Sequence, residues 1–530
     1  MGKTLAKENL TSPDNVTTHN ATTILRDNQS AIALNLPETL KLAESGNATA
    51  QYQLGWAYFS GQGVGLDKAK GVAYWEKAAN QGEAAAQRRL GAAYYVGQGV
   101  ARDQAKAVLW WEKAAERDDP IAQFALGEAL HSGGGVAKDL VKALEWWGKA
   151  ADQGNASAQR RLGLAYANGE GVTKDLAKAA EWLQKAANQG DALAQTSLGM
   201  AYFEGAGLPQ DKAKGLTWWE KAADQGDATA QALLGMTYYE GDGAPKDFAK
   251  ALHWFQKAAS QGDSTAQYYL GEAYFSGRGV PLDKVKANEW WRKAADQGDA
   301  TAQTRLGSAY SVGDGVAKDL AKAASFWEKA ADQGEPTAQY FLGGAYFYGS
   351  GVAKDPVKGA EWWEKAANQG DISAQRRLGA VYSTGEGAPK DLVKAVGWFK
   401  KAATQGDPIA QYALGNAYFY GEGADKDLVK AVEWWRKSAE NGDAFAQRRL
   451  GAAYYEGEGV PKDLVKATEW WRKSAERGDA MAQYFLGVAY YEGLGVTKDL
   501  TKAAEWLKKA ADQGDAEAKT LLDKIPQPSE

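Results

Sequence analysis

Apolar and polar positions recur along this chain with a period of 36 residues. A leucine followed by a glycine stands at the same point of thirteen successive units, from Leu54-Gly55 to Leu486-Gly487, without an insertion or a deletion. A fixed period of this length is typical of a supersecondary unit that buries its apolar face only by stacking on its neighbours. The period therefore predicts one continuous solenoid, with function on a long surface rather than in a pocket.

Each unit is predicted to contain two helices, as the fourth unit illustrates. A first helix is expected from Ala156 to Asn168, where apolar residues fall on one face at helical spacing. Gly169 and Gly171 then permit the positive φ angles that end a helix and turn the chain. A second helix is expected to open at Asp175 and to close at Gly190.

An aspartate occupies that opening position in all thirteen units, from Asp67 to Asp499. We interpret these residues as N-caps, because an aspartate just before a helix accepts hydrogen bonds from unpaired amides and favours the positive end of the helix dipole. Pro356, directly after Asp355, supports this interpretation, since the first helical turn tolerates proline. A ladder of calcium ligands is the weaker alternative.

Of the 21 tryptophans, 20 fall at two adjacent positions of the second helix, as in Trp110-Trp111 and Trp470-Trp471. Regular recurrence at helical spacing is the usual sign of a packed face, so these rings are predicted to be mostly core. A role as sugar-stacking platforms is the weaker alternative.

The pattern divides the chain into four parts. Residues 1–35 are rich in Asn, Thr and Ser and predict a disordered leader. Residues 36–46 predict an N-terminal capping helix with a polar outer face, as terminal repeats require. Residues 47–522 form the solenoid, and residues 523–530, which contain two prolines, form a C-terminal tail.

A longer pattern recurs in each unit and is complete in the twelfth, where it comprises Ala446-Gln447-Arg448-Arg449-Leu450-Gly451-Ala452-Ala453-Tyr454, Gly457-Glu458-Gly459-Val460, Asp463, Lys466-Ala467, Trp470 and Lys473-Ser474-Ala475. Together with the period of 36 residues, this pattern resembles the Sel-one-like repeat family, a longer relative of the tetratricopeptide repeat. The resemblance covers about residues 47–522.

The resemblance implies an all-α, right-handed superhelix of helix-turn-helix repeats whose first helices line the concave side. Such proteins typically act as adaptors for protein complexes, often in signalling, protein quality control or bacterial host contact. One bacterial branch of the family carries cysteine pairs and has been linked to penicillin binding. This chain contains no cysteine, so that property is not expected here.

Composition narrows the functional classes further. The chain has 62 Lys plus Arg against 67 Asp plus Glu, which disfavours binding to nucleic acid or to an anionic membrane. No stretch reaches the roughly 20 apolar residues of a membrane span. The compartment stays open between the cytoplasm and a bacterial periplasmic or exported location with the signal removed.

The chain is predicted not to be an enzyme. Only three histidines occur, His19, His131 and His253, and none recurs with a serine, acid or metal-ligand partner at a spacing that suggests catalysis. No cofactor, metal or small-molecule ligand is expected, and the oligomeric state stays open.

The units differ most at positions that face away from the core, two before, two after and five after each leucine. Two residues before the leucine, aromatic residues and arginine alternate at both ends of the array, and the arginine units carry a second arginine beside the first. Both residue types are enriched at interface hot spots. The predicted partner-binding residues of this concave stripe are Tyr52, Arg88, Arg89, Phe124, Arg160, Arg161, Tyr268, Tyr340, Arg376, Arg377, Tyr412, Arg448, Arg449 and Tyr484.

Two interpretations of the stripe stay open. One interpretation is a docking surface, and the other is an internal ladder of stacked tyrosine and arginine side chains. The two are compatible, because an ordered ladder also makes a good docking surface. A protein or an extended peptide is the expected partner. Nucleic acid is the second choice, weakened by the glutamates at 204, 240, 456 and 492 near the same surface, and a carbohydrate or cell-wall component is the third.

Overall fold

The computed structural model describes residues 13–26 and 35–525. Every regular element in this part of the chain is an α-helix, and consecutive helices pack against each other within residues 36–260 and within residues 284–522, which confirms the predicted all-α repeat solenoid. The chain forms two compact units, residues 1–270 and 271–530.

The helices alternate between the first and the second position of each repeat. The first helices are α3 (Ala48–Ser60), α5 (Ala84–Val96), α7 (Pro120–Ser132), α9 (Ala156–Asn168), α11 (Ala192–Glu204), α13 (Ala228–Glu240), α15 (Ser264–Ser276), α17 (Ala300–Val312), α19 (Pro336–Tyr348), α21 (Ile372–Thr384), α23 (Pro408–Tyr420), α25 (Ala444–Glu456) and α27 (Ala480–Glu492). The second helices are α4 (Lys68–Asn80), α6 (Gln104–Ala115), α8 (Leu140–Asp152), α10 (Leu176–Asn188), α12 (Lys212–Asp224), α14 (Phe248–Ser260), α16 (Lys284–Asp296), α18 (Leu320–Asp332), α20 (Pro356–Asn368), α22 (Leu392–Thr404), α24 (Leu428–Glu440), α26 (Leu464–Glu476) and α28 (Leu500–Asp512). The remaining helices are α1 (Pro13–Arg26) and α2 (Leu36–Glu44) at the start and α29 (Ala516–Leu522) at the end.

The helix boundaries follow from glycine and aspartate. The first helix α25 ends at Gly457, whose φ of +81° is a conformation that favours glycine. The second helix α26 begins after Asp463, whose carboxylate accepts a hydrogen bond of 3.0 Å from the backbone amide of Lys466. The aspartates at the same position of the other repeats cap their second helices in the same way, so the N-cap interpretation is confirmed.

The two tryptophan positions differ in burial. The second position points into the core, and rings such as Trp111, Trp363 and Trp435 are almost fully buried. The first position is half-buried in most repeats, and the lysine three residues later lies over its ring, as Lys437 does at 4.1 Å from the centre of Trp434. The core prediction is therefore confirmed for the second position, whereas the first lies at the edge of the core.

Neighbouring repeats are joined by buried glutamines three residues before each leucine. Gln375 donates a hydrogen bond of 3.1 Å to the carbonyl of Ala367 at the end of the preceding helix, and its carbonyl oxygen accepts one of 2.8 Å from Gln405. Such a ladder satisfies the polar ends of the helices inside the stack, where unpaired polar groups would be costly.

The leader departs from its prediction. Residues 13–26 form helix α1, which packs on α5 and α7, so the expected disorder is wrong for this segment. Composition suggested a segment with too little apolar surface to fold. However, Thr17, Ala21, Ile24 and Leu25 share one face of α1, and this face is buried against the first helices. The other residues before Asn35 lie outside the described part of the chain.

Both predicted ends of the array contact the neighbouring repeats. Helix α2 lies within the predicted cap 36–46 and packs on α3. The predicted tail is described as far as Ile525, which is buried in the last core cluster with Leu507 and Ala518. Its remaining residues lie outside the described range.

Candidate protein-interaction surface

The candidate site lies on the side of each first helix opposite the repeat leucine. Positions five, two and one before the leucine, and two and six after it, fall within one arc of the helix at 100° per residue. We call this the first-helix surface. All of the predicted stripe residues belong to it, and within the structure each of them is buried or half-buried.

The arginines two residues before the leucine are paired with the next repeat. Arg88 lies 2.7 Å from the carboxylate of Asp119, which caps the following first helix. Arg160, Arg376 and Arg448 make the same contact at 3.2 to 3.3 Å with the capping aspartates 191, 407 and 479. These ion pairs therefore connect each of the four arginines to the next repeat.

The aromatic residues at this position pack rather than protrude. Tyr52 and Phe124 are buried in unit 1, whereas Tyr268, Tyr340, Tyr412 and Tyr484 are half-buried. Tyr340 and Tyr484 each lie about 5.5 Å, centre to centre, from the phenylalanine that follows them.

The second arginine of each pair points back to the preceding repeat. Arg161 forms an ion pair of 2.9 Å with the buried carboxylate of Glu128. Arg377 and Arg449 instead donate to tyrosine hydroxyls, at 3.1 Å to Tyr348 and at 2.6 Å to Tyr420. Each guanidinium is thereby held at a fixed place on the surface.

Tyr412 and Tyr420 also affect the charge of Arg449. Burial opposes this charge, but the hydrogen bonds and the electrostatic influence of the two tyrosines outweigh burial and raise the pKa of the guanidinium. Arg449 is therefore a permanent cation among aromatic rings, the arrangement that an internal ladder of tyrosine and arginine requires.

Four exposed aromatic or methionine residues of the first-helix surface lie outside the predicted set. Tyr348 and Tyr420, six residues after their leucines, are 56% and 52% exposed. Phe445 and Met481, five residues before theirs, are similarly exposed. The signal that could have found them was present, because these positions are occupied by small or polar residues in most other repeats.

His131 and His253 lie outside the arginine and tyrosine contacts of the first-helix surface. Nε2 of His131 lies 2.9 Å from the carboxylate of Glu170, and its ring packs on Trp147. His253 is exposed beside Trp254. Over residues 13–26 and 35–525, no group of three or more His, Cys, Asp or Glu side chains is placed to hold a metal ion. None of the described helices has the length and apolar character that crossing a membrane demands.

This fold and surface define a class: an all-α solenoid of helix pairs with an ordered polar and aromatic face. The sequence model of the Sel1 repeat matches thirteen consecutive segments that cover residues 48–515 without a gap. The chain therefore belongs to the Sel1 repeat family.

The chain is also similar to proteins of known structure. The c5321 protein of uropathogenic Escherichia coli, a protective antigen with an SLR fold, is 38% identical; the match covers 79% of this chain and 91% of that one, with a TM-score of 0.66. A Sel1 repeat protein from Oxalobacter formigenes is 36% identical over 59% of this chain and 90% of that one, with a TM-score of 0.47. No curated protein matches the sequence. Sel1 repeat proteins are generally protein-interaction scaffolds and are typically non-enzymatic.

Proposed function

We propose that this chain is a non-enzymatic scaffold that binds a protein or peptide partner along the first-helix surface of unit 2. The observation that carries the proposal is the pairing of exposed tyrosines with fixed arginines. Tyr348 and Tyr420 expose about half of their surface while Arg377 and Arg449 hold their hydroxyl groups. Aromatic and arginine side chains that are already ordered lose little conformational entropy on binding, which favours affinity.

Phe445 and Met481 extend this surface with apolar area. Phe445 lies 6.2 Å, centre to centre, from Tyr412, and Met481 contacts a guanidinium nitrogen of Arg448 at 3.2 Å. A mixed surface of exposed apolar side chains and ordered cations suits a protein interface, whose centre is enriched in aromatic residues, methionine and arginine.

The other partner classes are less well supported. Sugar stacking needs open aromatic faces, yet lysine ammonium groups lie 3.6 to 4.5 Å from the ring centres of the first-position tryptophans. The stripe arginines are already neutralised by carboxylates or bonded to tyrosines, so few free cations remain for phosphate.

The test is affinity capture from a bacterial extract with the full chain as bait, combined with cross-linking and mass spectrometry. The double variant Tyr348→Ala with Tyr420→Ala should lose the captured protein, whereas Val393→Ala with Val465→Ala should retain it. The two valines are a matched control, because they are exposed apolar residues on second helices. Equal capture by both variants would contradict the proposal, and a steep loss of binding with salt would favour nucleic acid instead.

A further inference from the structure

The first-helix surface of unit 1 already carries a helix. In α1, Thr17, Ala21, Ile24 and Leu25 are buried against α5 and α7. Nη1 of Arg89 donates a hydrogen bond of 2.8 Å to the backbone carbonyl of Ile24, in the last turn of α1. This carbonyl has no partner within the helix, because the last four carbonyls of any helix lack one.

The other end of α1 is fixed by a hydroxyl contact. Oγ1 of Thr17 lies 3.3 Å from Oγ of Ser132, at the end of α7. Small side chains on the buried face allow α1 to approach the first helices closely. The groove between α5 and α7 thus accepts a short helix through small residues, an aliphatic pair and one arginine that caps its carboxyl end.

The central segments of α5 and α7 recur in unit 2. Ala-Gln-Arg-Arg-Leu-Gly-Ala stands at 86–92 in α5 and at 374–380 in α21, and Pro-Ile-Ala-Gln, an aromatic residue and Ala-Leu-Gly stand at 120–127 in α7 and at 408–415 in α23. An arginine directly before the leucine, followed one repeat later by an alanine, occurs at 89/125 and 377/413 and at no other pair of repeats. In the other three repeats that follow such an arginine, the equivalent residue is Ser197, Phe341 or Phe485, and each is larger than alanine.

The two grooves differ in burial at the positions that α1 covers in unit 1. Arg89, Ala92 and Ala125 are at most 1% exposed. Their counterparts Arg377 and Ala413 are half-buried, and Ala380 is exposed. Unit 2 therefore holds an uncovered counterpart of this groove, in which Tyr420 replaces Ser132 at the end of the second groove helix.

We propose that the groove of α21 and α23 docks a short helix from the partner protein, with the chemistry of α1. Such a helix has small or aliphatic residues at the spacing of Thr17, Ala21, Ile24 and Leu25, and its terminal carbonyl accepts a hydrogen bond from Arg377. Arg377 donates one N–H to the hydroxyl of Tyr348. A guanidinium has five N–H groups, so further donors remain for the carbonyl of a docked helix. This inference rests on the proposed function and adds the kind of partner segment that it recognises.

A partner helix is favoured over α1 from a second copy of the chain. In each copy α1 is tethered beside its own α5 and α7, and a tether gives the local segment a high effective concentration. Exchange between copies would have to compete with that intramolecular contact.

The probe is a fluorescein-labelled peptide of residues 13–26, titrated with the full chain and followed by anisotropy. In the full chain α5 and α7 are occupied by α1, so saturable binding at one site reports the second groove. Arg377→Ala should weaken binding roughly tenfold through loss of a charge-assisted hydrogen bond. Arg436→Ala is the matched control, because Arg436 also donates to a tyrosine hydroxyl, that of Tyr454, but lies on the second helix α24 and outside the first-helix surface. It should bind as the unaltered chain does.

Two further variants separate docking from misfolding. Ala413→Arg should block the groove, and circular dichroism should show unchanged helicity. A peptide with Ala21→Lys should fail to bind the unaltered chain, since Ala21 is fully buried in α1. No saturable binding, equal weakening by Arg377→Ala and Arg436→Ala, or binding of the lysine peptide would each overturn the inference. A chain dimer that the unlabelled peptide dissociates would assign the groove to a second copy. None of these results affects the capture experiment, so the proposed function fails or stands separately.

Discussion

Gly343 and Trp363 fit together so closely that a Cβ atom on Gly343 would lie 2.5 Å from Cδ1 of the indole ring. The glycine lies in the middle of α19, where glycine weakens a helix relative to alanine. Its presence there is explained by the approach of the second helix, whose tryptophan occupies the space that a side chain would need. The same fit recurs between Gly91 and Trp111 and between Gly307 and Trp327.

Gly343→Ala is therefore expected to destabilise the protein by about 1 to 3 kcal/mol, because the added methyl group forces the helices apart. Gly344→Ala is the control at the adjacent position. A Cβ there meets nothing within 4 Å, so this variant should gain about 0.5 to 1 kcal/mol from helix propensity. Urea unfolding followed by circular dichroism measures both. A stabilised Gly343→Ala variant would contradict the explanation.

The two adjacent tryptophans of α24 should differ in their contribution to stability. Trp435 is almost fully buried, and Trp435→Ala should cost about 3 to 5 kcal/mol through the cavity it leaves. Trp434 is half-buried under Lys437, and its replacement by Ala should cost only about 1 to 2 kcal/mol. Thermal unfolding of the two variants provides the comparison. Equal losses would mean that both rings serve the core alike.

The helix pairs could be predicted from the sequence because their signals are local. Gly457 ends α25, and Asp463 starts α26, and each acts within a few residues of its own position. The period then placed every repeat. Helix α1 was missed for the opposite reason. Its residues are weak helix formers, and it is stabilised by α5 and α7, which lie far away in sequence. The spacing of Thr17, Ala21, Ile24 and Leu25 was nonetheless that of one helical face.

The stripe was only partly predictable. Its position on the first helices followed from helical geometry, but the partner of Arg376 is Asp407, 31 residues further on, and this contact depends on how one repeat sits on the next. The exposure of Tyr348 likewise depends on the space left by the neighbouring helix. Whether the stripe binds a partner is tested by the experiments proposed above rather than by its pattern.

Acid should remove the advantage of the second-helix caps. The backbone hydrogen bond from Lys466, its side chain and its charge lower the pKa of Asp463. A lowered folded pKa stabilises the protein above the unfolded value of about 4, and this contribution disappears as pH falls through the folded value. The melting temperature of the unaltered chain should therefore exceed that of Asp463→Asn at pH 7, and the two should converge near pH 2.

Asp299 should behave in the opposite sense. It caps the first helix α17, and burial raises its pKa despite hydrogen bonds from the backbone. Its charge is therefore unfavourable in the folded state at pH 7, and Asp299→Asn should melt higher than the unaltered chain. If Asp299→Asn and Asp463→Asn both melted higher than the unaltered chain at pH 7, or both melted lower, the surroundings of these aspartates would not set their pKa values.

The glutamine ladder is interrupted at Arg477, and this interruption can be repaired. The carbonyl oxygen of Gln447 is buried and has no hydrogen-bond partner, at the point where Gln375 accepts a bond of 2.8 Å from Gln405. An unpaired buried acceptor is costly, and a single added hydrogen bond stabilises a protein by about 0.5 to 1.5 kcal/mol. Arg477→Gln should supply the missing donor and raise the free energy of unfolding by that amount. Gln405→Arg should reproduce the defect in an intact part of the ladder and lower it. If urea unfolding gave the same sign for both variants, the ladder would not be a source of stability between repeats.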